Sequence, residues 1–396
     1  MIRIRRSIVV FTLFCCMGMS HAAWAQQQTP FCNGSNCDKS RELLKSLCDY
    51  IVQQKSNFST IYIGGYYMRT LVAGYEVLGD KQYLATAVAY ADWLQTRQMP
   101  NGFWRTGYGP VYMADTGSAL GLFIVLYKHV GPTRQQAYLH AAEHYADAIQ
   151  KDGMLHPWGA FGTGWRKTNG DALETPLYDQ YTLSSALTGG EVFTWLYHET
   201  GKDEYREISH NALAWVLSTM RSDGNIPHIL AEEGEDWDKR EDPKVANALW
   251  NSHTYGTSAY VGEGILSFDL YCGKRAWRKW IGKAVKPNIE FLLRNQLADG
   301  TWSQLGEKSW DRSRSVGIVD YLIWYYERVD RDPRVANAVQ RWDAYVLNPE
   351  NGKAYGLLND GADPGPKDEN NCFNTSTALT GRALADILLP GVDARW

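Results

Sequence analysis

Phe291-Leu292-Leu293-Arg294-Asn295, closed by Asp299-Gly300, is one copy of the pattern that decides the architecture of this chain. Ala91-Asp92-Trp93-Leu94-Gln95 precedes Asn101-Gly102 in the same way, and Ala146-Asp147-Ala148-Ile149-Gln150 precedes Asp152-Gly153. Asp223-Gly224 and Asn351-Gly352 supply two further marks. Asn-Gly and Asp-Gly end a helical run because both residues accept turn backbone. Recurrence of one helix-and-turn unit along the chain indicates an array of helical hairpins, not a mixed sheet.

A second set of breaks falls between the first: Gly79-Asp80, Gly131-Pro132, Gly201-Lys202, Gly273-Lys274 and Asp330-Arg331. Each ends a segment poor in charge, such as 119–127 or 259–270, and starts one with a charged face, such as 204–217. A helix apolar nearly all round is buried, whereas one with a polar face lies outside. The chain therefore alternates outer helices, expected near 39–55, 82–98, 134–150, 203–220, 277–296 and 333–346, with inner ones. The inner helices are expected near 62–78, 114–129, 180–199, 256–271, 315–329 and 375–388. Six such hairpins close a ring, an all-α fold of the (α/α) toroid type, with a seventh pair if an inserted segment hides a helix.

Arg3, Arg5 and Arg6 precede an apolar run over 8–19, and Ala23-Trp24-Ala25 offers small residues for cleavage. Residues 1–25 thus read as a secretory signal and 26–396 as a single domain of a periplasmic or secreted protein. The run is too short to span a membrane. Removing it takes the formal charge from −4 to −7, with no basic stripe of the kind that binds nucleic acid. Five scattered cysteines remain, of which Cys32 and Cys37 are close enough to close a small loop. No zinc-ligand spacing and no nucleotide-binding glycine loop is present, so no cofactor is expected; a calcium ion, if any, would use 232–242. A monomer is expected.

The connections are unequal. Those from outer to inner helices include long excursions at 154–177 and 225–254, which gather on one face of the ring around its mouth. They carry His156, Trp158, Phe161, Trp165, Arg166, Asn169, Trp237 and Trp250. Aromatic faces stack on pyranose rings and adjacent polar groups orient the hydroxyls. Trp104, Trp158, Trp165, Arg166, Asn169, Tyr178, Tyr181, Trp250 and Trp302 form the expected substrate-binding set.

Asn251, His253 and Tyr255 stand at alternate positions just before an inner helix. Elimination at a uronic acid removes a weakly acidic C5 proton, which requires a donor on the neighbouring carboxylate and groups that move protons. Asn251 suits the first task, His253 and Tyr255 the second. Arg312 and Arg314, ahead of the next inner helix, could also hold the carboxylate. Tyr178, Tyr181 and Tyr321 are other sources of a phenol.

A ring of helical hairpins with Asn251, His253 and Tyr255 on its open face resembles the toroid polysaccharide lyases, which include alginate, chondroitin and glucuronan lyases. Length and the lack of a C-terminal β-sandwich fit a single-domain alginate or glucuronan lyase, of the type of polysaccharide lyase family thirty-eight. The resemblance implies β-elimination on an anionic polysaccharide. The nearest competing reading is a glycoside hydrolase with Asp115 and Asp179, which heads two successive inner helices and would look like the unsaturated glucuronyl hydrolases. A uronate epimerase and a non-catalytic carbohydrate-binding toroid are the remaining alternatives.

Overall fold

The computed structural model describes residues 29–54, 61–104, 111–166, 175–229, 254–302, 315–354 and 372–390. Its helices pair along the chain. Outer helix α1 (Ser35–Gln54) leads to inner helix α2 (Ile61–Leu78), and α3 (Lys81–Gln95) to α4 (Met113–Leu126). Outer helix α5 (Pro132–Lys151) leads to a π-helical stretch (Ser184–Phe193) that continues as α6 (Thr194–Thr200). Outer helix α7 (Asp203–Ser218) leads to α8 (Thr254–Tyr271). The pair α9 (Arg275–Ala284) and α10 (Lys286–Asn295) leads to α11 (Ile318–Arg328). Finally α12 (Pro333–Val346), with the short α13 (Pro349–Ala354), leads to α14 (Cys372–Leu388).

The inner helices close on themselves. Contacts run from α2 to α4, to the π-helical stretch, to α8, to α11, to α14 and back to α2, which is the expected toroid. Inner helices approach closely where a side chain would obstruct them. A Cβ on Gly264 of α8 would strike the carbonyl of Ala186, and one on Gly190 would lie 3.0 Å from the Cα of Gly264. Such approach widens apolar contact between neighbouring helices, and the apolar residues of all six inner segments form one continuous core.

Helix ends explain the hairpin rhythm. Asp80 and Asp332 cap α3 and α12 by accepting from the amides of Gln82 (2.9 Å) and Arg334 (2.8 Å), satisfying N–H groups that a helix leaves open. At the opposite ends, the repeat seen in sequence is a repeat in space. Gln98 Nε2 donates to the carbonyls of Gly102 (2.7 Å) and Ala141 (2.8 Å); Gln296 Nε2 donates to those of Gly300 (2.8 Å) and Ala338 (2.8 Å). Gly102 and Gly300 have φ of +92° and +98°, and a Cβ on either would lie 2.5 Å from a carbonyl of the next outer helix, that of His144 or Arg341. Each turn thereby ties its own hairpin to its neighbour.

Three features depart from the sequence expectation. The outer helix expected over 277–296 breaks at Val285, because Pro287 has no N–H to continue the helical ladder. The third inner helix begins as ten residues of π-helix. The excursion over 154–177, read as irregular, contributes to a three-stranded antiparallel sheet: β1 (Val111–Tyr112), β2 (Gly162–Arg166) and β3 (Thr175–Gln180), in that order. Cys32 and Cys37 are joined by a disulfide, while Cys48 and Cys272 are free and buried. No helix among the described residues is long and apolar enough to cross a membrane. The expected signal segment and the stretch 232–242 lie outside the described residues.

Candidate functional site at the mouth of the ring

The inner helices begin on one face of the ring, and the sheet lies at the heads of two of them. In β1 and β2, Tyr112 pairs with Gly164; in β2 and β3, Gly164 pairs with Leu177. Both outer strands run antiparallel to β2, so they run parallel to each other on either side of it. Asp115 follows β1 in the first turn of α4, and Asp179 lies near the end of β3, a few residues before the π-helical stretch. Both are half-buried. Tyr112 of β1 and Leu177 of β3, both level with Gly164, are separated by two strand spacings, roughly 10 Å; Asp115 follows the first by three residues and Asp179 the second by two. The register shifts between Gly162 and Gly164, where β3 uses an extra residue at the level of Tyr178 and Asp179. A bulge of this kind bends the strand and re-aims its side chains. Thr163 Oγ1 donates to the carbonyl of Asp179 (2.9 Å) and holds it there.

The head of α4 is also clamped. Tyr145 Oη and Thr188 Oγ1 both donate to the carbonyl of Met113, at 3.1 and 3.0 Å, tying α5 and the π-helical stretch to the turn that carries Asp115. Burial, with a smaller contribution from Asp115, keeps the Tyr145 phenol protonated far above neutral pH.

Beside this pair lies a histidine that the sequence reading passed over. His228 is buried, and its Nδ1 is 3.0 Å from Thr257 Oγ1 in the first turn of α8. Its ring meets that of Tyr181 edge-on at 5.6 Å, and Tyr181 in turn meets Tyr112 at 6.4 Å. Thr182 holds the segment in place, donating from its amide to the carbonyl of Ile229 and accepting from the Ile229 amide, both at 3.0 Å. The only sequence signal for His228 was its position at the start of the second long excursion.

The expected site residues divide into three groups. Asn251, His253, Arg312, Arg314, Asn169 and Trp250 lie outside the described residues, and Arg166 ends β2 opposite Thr175. Trp158 and Tyr178 are on the rim, 54 % and 52 % exposed; Trp158 stacks on His156 at 4.8 Å, and His156 Nε2 donates to the Tyr178 carbonyl at 2.5 Å. Tyr181 is at the mouth, as above.

Trp104, Trp165 and Trp302 are placed in the core instead, which corrects their reading as sugar-binding rings. Trp104 and Trp302 hold equivalent turns, their Nε1 atoms donating to the carbonyls of Leu94 (2.8 Å) and Leu292 (2.9 Å). Trp165 lies flat on Phe103 at 4.3 Å and donates to Asp152 at 2.7 Å. Tyr255 is half-buried and stacks on Phe291 of outer helix α10 at 5.9 Å. Tyr321 is fully buried among inner helices, and burial holds its phenol protonated.

Below the mouth, the ring axis is polar. Arg69 of α2 reaches Glu191 (3.0 Å) and Glu263 (3.3 Å); Arg382 of α14 reaches Glu263 (2.9 Å) and Asp320 (3.2 Å). Tyr66 Oη donates to Glu263 at 3.2 Å and contacts Ser118 Oγ at 3.0 Å. These charges are buried. Two guanidiniums face Glu191, Glu263 and Asp320, and Asp386 lies against Asp320, so acids outnumber bases here. Burial pushes Glu191 up to about 7 despite Arg69, and burial together with Asp386 holds Asp320 well above the usual carboxylate range. Unpaired charge is costly to bury, which favours the protonated forms of Glu191 and Asp320. Its sequence signal was a charge inside five of the otherwise apolar inner segments.

No family model and no curated protein matches this chain in sequence. Solved structures match over nearly its full length. A polysaccharide lyase has a TM-score of 0.59 at 15% identity, covering 89% of this chain and 98% of that one. An unsaturated glucuronyl hydrolase of Bacillus sp. GL1, responsible for degradation of glycosaminoglycan, has a TM-score of 0.60 at 15% identity, covering 90% and 98%. A sugar epimerase from a ruminal bacterium has a TM-score of 0.62 at 12% identity, covering 90% and 99%. At these identities the likeness establishes the class: the chain is an (α/α) toroid.

Proposed function

We propose that this protein is an exported carbohydrate-active enzyme acting on uronic-acid oligosaccharides or polysaccharides, and that it hydrolyses a uronyl glycosidic bond with Asp115 and Asp179. One observation supports the reading: β1 and β3, both paired to β2, lead to the heads of adjacent inner helices, with Asp115 three residues beyond Tyr112 and Asp179 two beyond Leu177. Backbones roughly two strands apart can bring carboxyl groups within the about 5–9.5 Å that glycoside hydrolysis uses. One carboxyl then protonates the leaving oxygen while the other activates water or attacks the anomeric carbon. Fold likeness to enzymes named for uronyl hydrolysis, polysaccharide lysis and sugar epimerisation supports the substrate class.

A second reading, β-elimination, is favoured by the Tyr181–His228 contact at the same mouth. A phenol and an imidazole together can remove the C5 proton and protonate the leaving oxygen. The two chemistries move one signal in opposite directions. Elimination creates a C4–C5 double bond conjugated to the carboxylate, whereas hydrolysis of an unsaturated uronyl sugar frees an enol that becomes a ketone. Incubation with unsaturated uronyl disaccharides and with intact polyuronates decides between them: falling ultraviolet absorbance on the former supports hydrolysis, and rising absorbance on the latter supports elimination. Hydrolysis unaffected by Asp115→Asn and Asp179→Asn would sink the assignment of the carboxylates.

A further inference from the structure

The outer wall carries a second feature that the mouth does not use. From Leu270 to Ile289 the chain has no Asp or Glu, yet it has Lys274, Arg275, Arg278, Lys279, Lys283 and Lys286, in a protein of net charge −4. Other outer helices mix their charges; α7 alone opens with Asp203, Glu204, Arg206 and Glu207. Two of the six cations are engaged locally: Lys274 with Glu207 (3.0 Å) and Arg278 with the carbonyl of Leu270 (2.9 Å). The other four, Arg275, Lys279, Lys283 and Lys286, are all exposed. None of these four is in an ion pair among the described residues. Lys286 senses Asp332, but Arg334 already occupies that carboxylate.

Steps of four residues place Arg275, Lys279 and Lys283 on one face of α9, one above the other, and Lys286 opens α10 just past the break at Val285. Along α9 successive cations are about 6 Å apart, and the three span roughly 12 Å, with Lys286 beyond them. The helix beneath is pinned. Trp277 stacks on His210 of α7 at 4.1 Å, Trp280 lies 4.9 Å from the same ring, and Lys274 Nζ sits 3.8 Å over Trp277. The row is therefore held in register by packing on its opposite side.

We propose that this ladder is an accessory binding site for an anionic polysaccharide, lying on the outer wall apart from the catalytic mouth. A uronate polymer offers one carboxylate per sugar, a repeat comparable to one helical turn, and so meets a column of cations with complementary spacing and sign. Fixed like charges on an acidic protein concentrate such a polymer locally and hold it near the mouth. The identity of the polymer rests on the uronate reading above; the existence of the site does not.

The test is affinity electrophoresis of the full mature protein in native gels cast with polyglucuronate, with a neutral glucan, or with neither. Polyglucuronate retards the wild type, the neutral glucan does not, and added salt weakens retardation. Replacing Arg275, Lys279, Lys283 and Lys286 together by Gln weakens binding by roughly tenfold or more, with circular dichroism and hydrolysis of a short uronyl disaccharide unchanged. Asp115→Asn keeps the retardation while losing the hydrolysis, which separates this site from the mouth. Equal retardation of the quadruple variant and the wild type overturns the proposal. So does sedimentation with anionic phospholipid vesicles in the absence of retardation by the polymer. Retardation that depends on the ladder, in a protein inactive on every uronate sugar, overturns the proposed reaction and leaves the ladder standing.

Discussion

Glu191→Gln makes the axial network speak through stability. Glu191 is fully buried against Arg69, and burial raises its carboxyl from 4.5 to about 7. Below pH 4.5 the acid is protonated both in the fold and in the unfolded chain. As pH rises toward 7, the unfolded chain releases this proton while the fold keeps it, so stability falls across that window and levels off above it. Ionising Glu191 inside the ring therefore costs about 3 kcal/mol relative to ionising it in the unfolded chain. Glutamine has the shape of the protonated acid and retains an oxygen for Arg69 Nη2, but it has no proton to lose.

The variant should match the wild type in urea unfolding near pH 3.5 and exceed it by about 3 kcal/mol at pH 8. Some pH dependence remains in both proteins. Asp343, buried and bonded to Ser40 Oγ at 2.8 Å, is also pushed up to about 7 and contributes in the same direction. The comparison of variant with wild type cancels that contribution. Stability curves that run parallel from pH 5 to 8 would refute the account, because the offset would then come from packing and not from a proton.

Further outcomes follow from the same geometry. Gly300→Ala forces a positive φ on alanine and drives its Cβ into the Arg341 carbonyl, so it should destabilise the fold by about 1–3 kcal/mol in thermal or urea unfolding. Trp158→Ala on the rim should leave stability within about 0.5 kcal/mol, whereas Trp302→Ala in the core should cost about 3–5 kcal/mol; similar losses for the two would contradict their placement. Asp179→Asn should lower kcat on a uronyl substrate by about 10²–10⁴-fold without shifting the melting temperature, and His228→Gln should do so only if the reaction is elimination.

The helical hairpins were legible because their cause is local. Asn-Gly and Asp-Gly turns mark where a helix must stop, except at Asn351-Gly352, which lies within α13, and the alternation of apolar with half-polar segments separates inner from outer helices. Observed inner helices such as Thr254–Tyr271 and Ile318–Arg328 begin and end within a few residues of their expected bounds. The strands were missed because a strand depends on its partner. Val111–Tyr112 is only two residues long and has meaning only against β2. The tryptophans misled for a related reason: Trp104 and Trp302 stand in loops by sequence, and only the turn geometry shows their indole N–H groups fastening the preceding helix.

What the sequence determined by itself, then, is a ring of paired helices with its long connections on one face, since periodicity and turn chemistry act over a few residues. Which side chains meet there was decided only by tertiary structure. Asp115 and Asp179 are 64 positions apart, and the strands that precede or carry them belong to one three-stranded sheet; His228 reaches Tyr181 through a segment tied to Thr182. Arg69, Glu191, Glu263, Asp320 and Arg382 come from five different inner helices, and the exclusion of water at the axis turns separate charges into one proton-holding network. Proximity of this kind comes from ring closure, which no local pattern encodes.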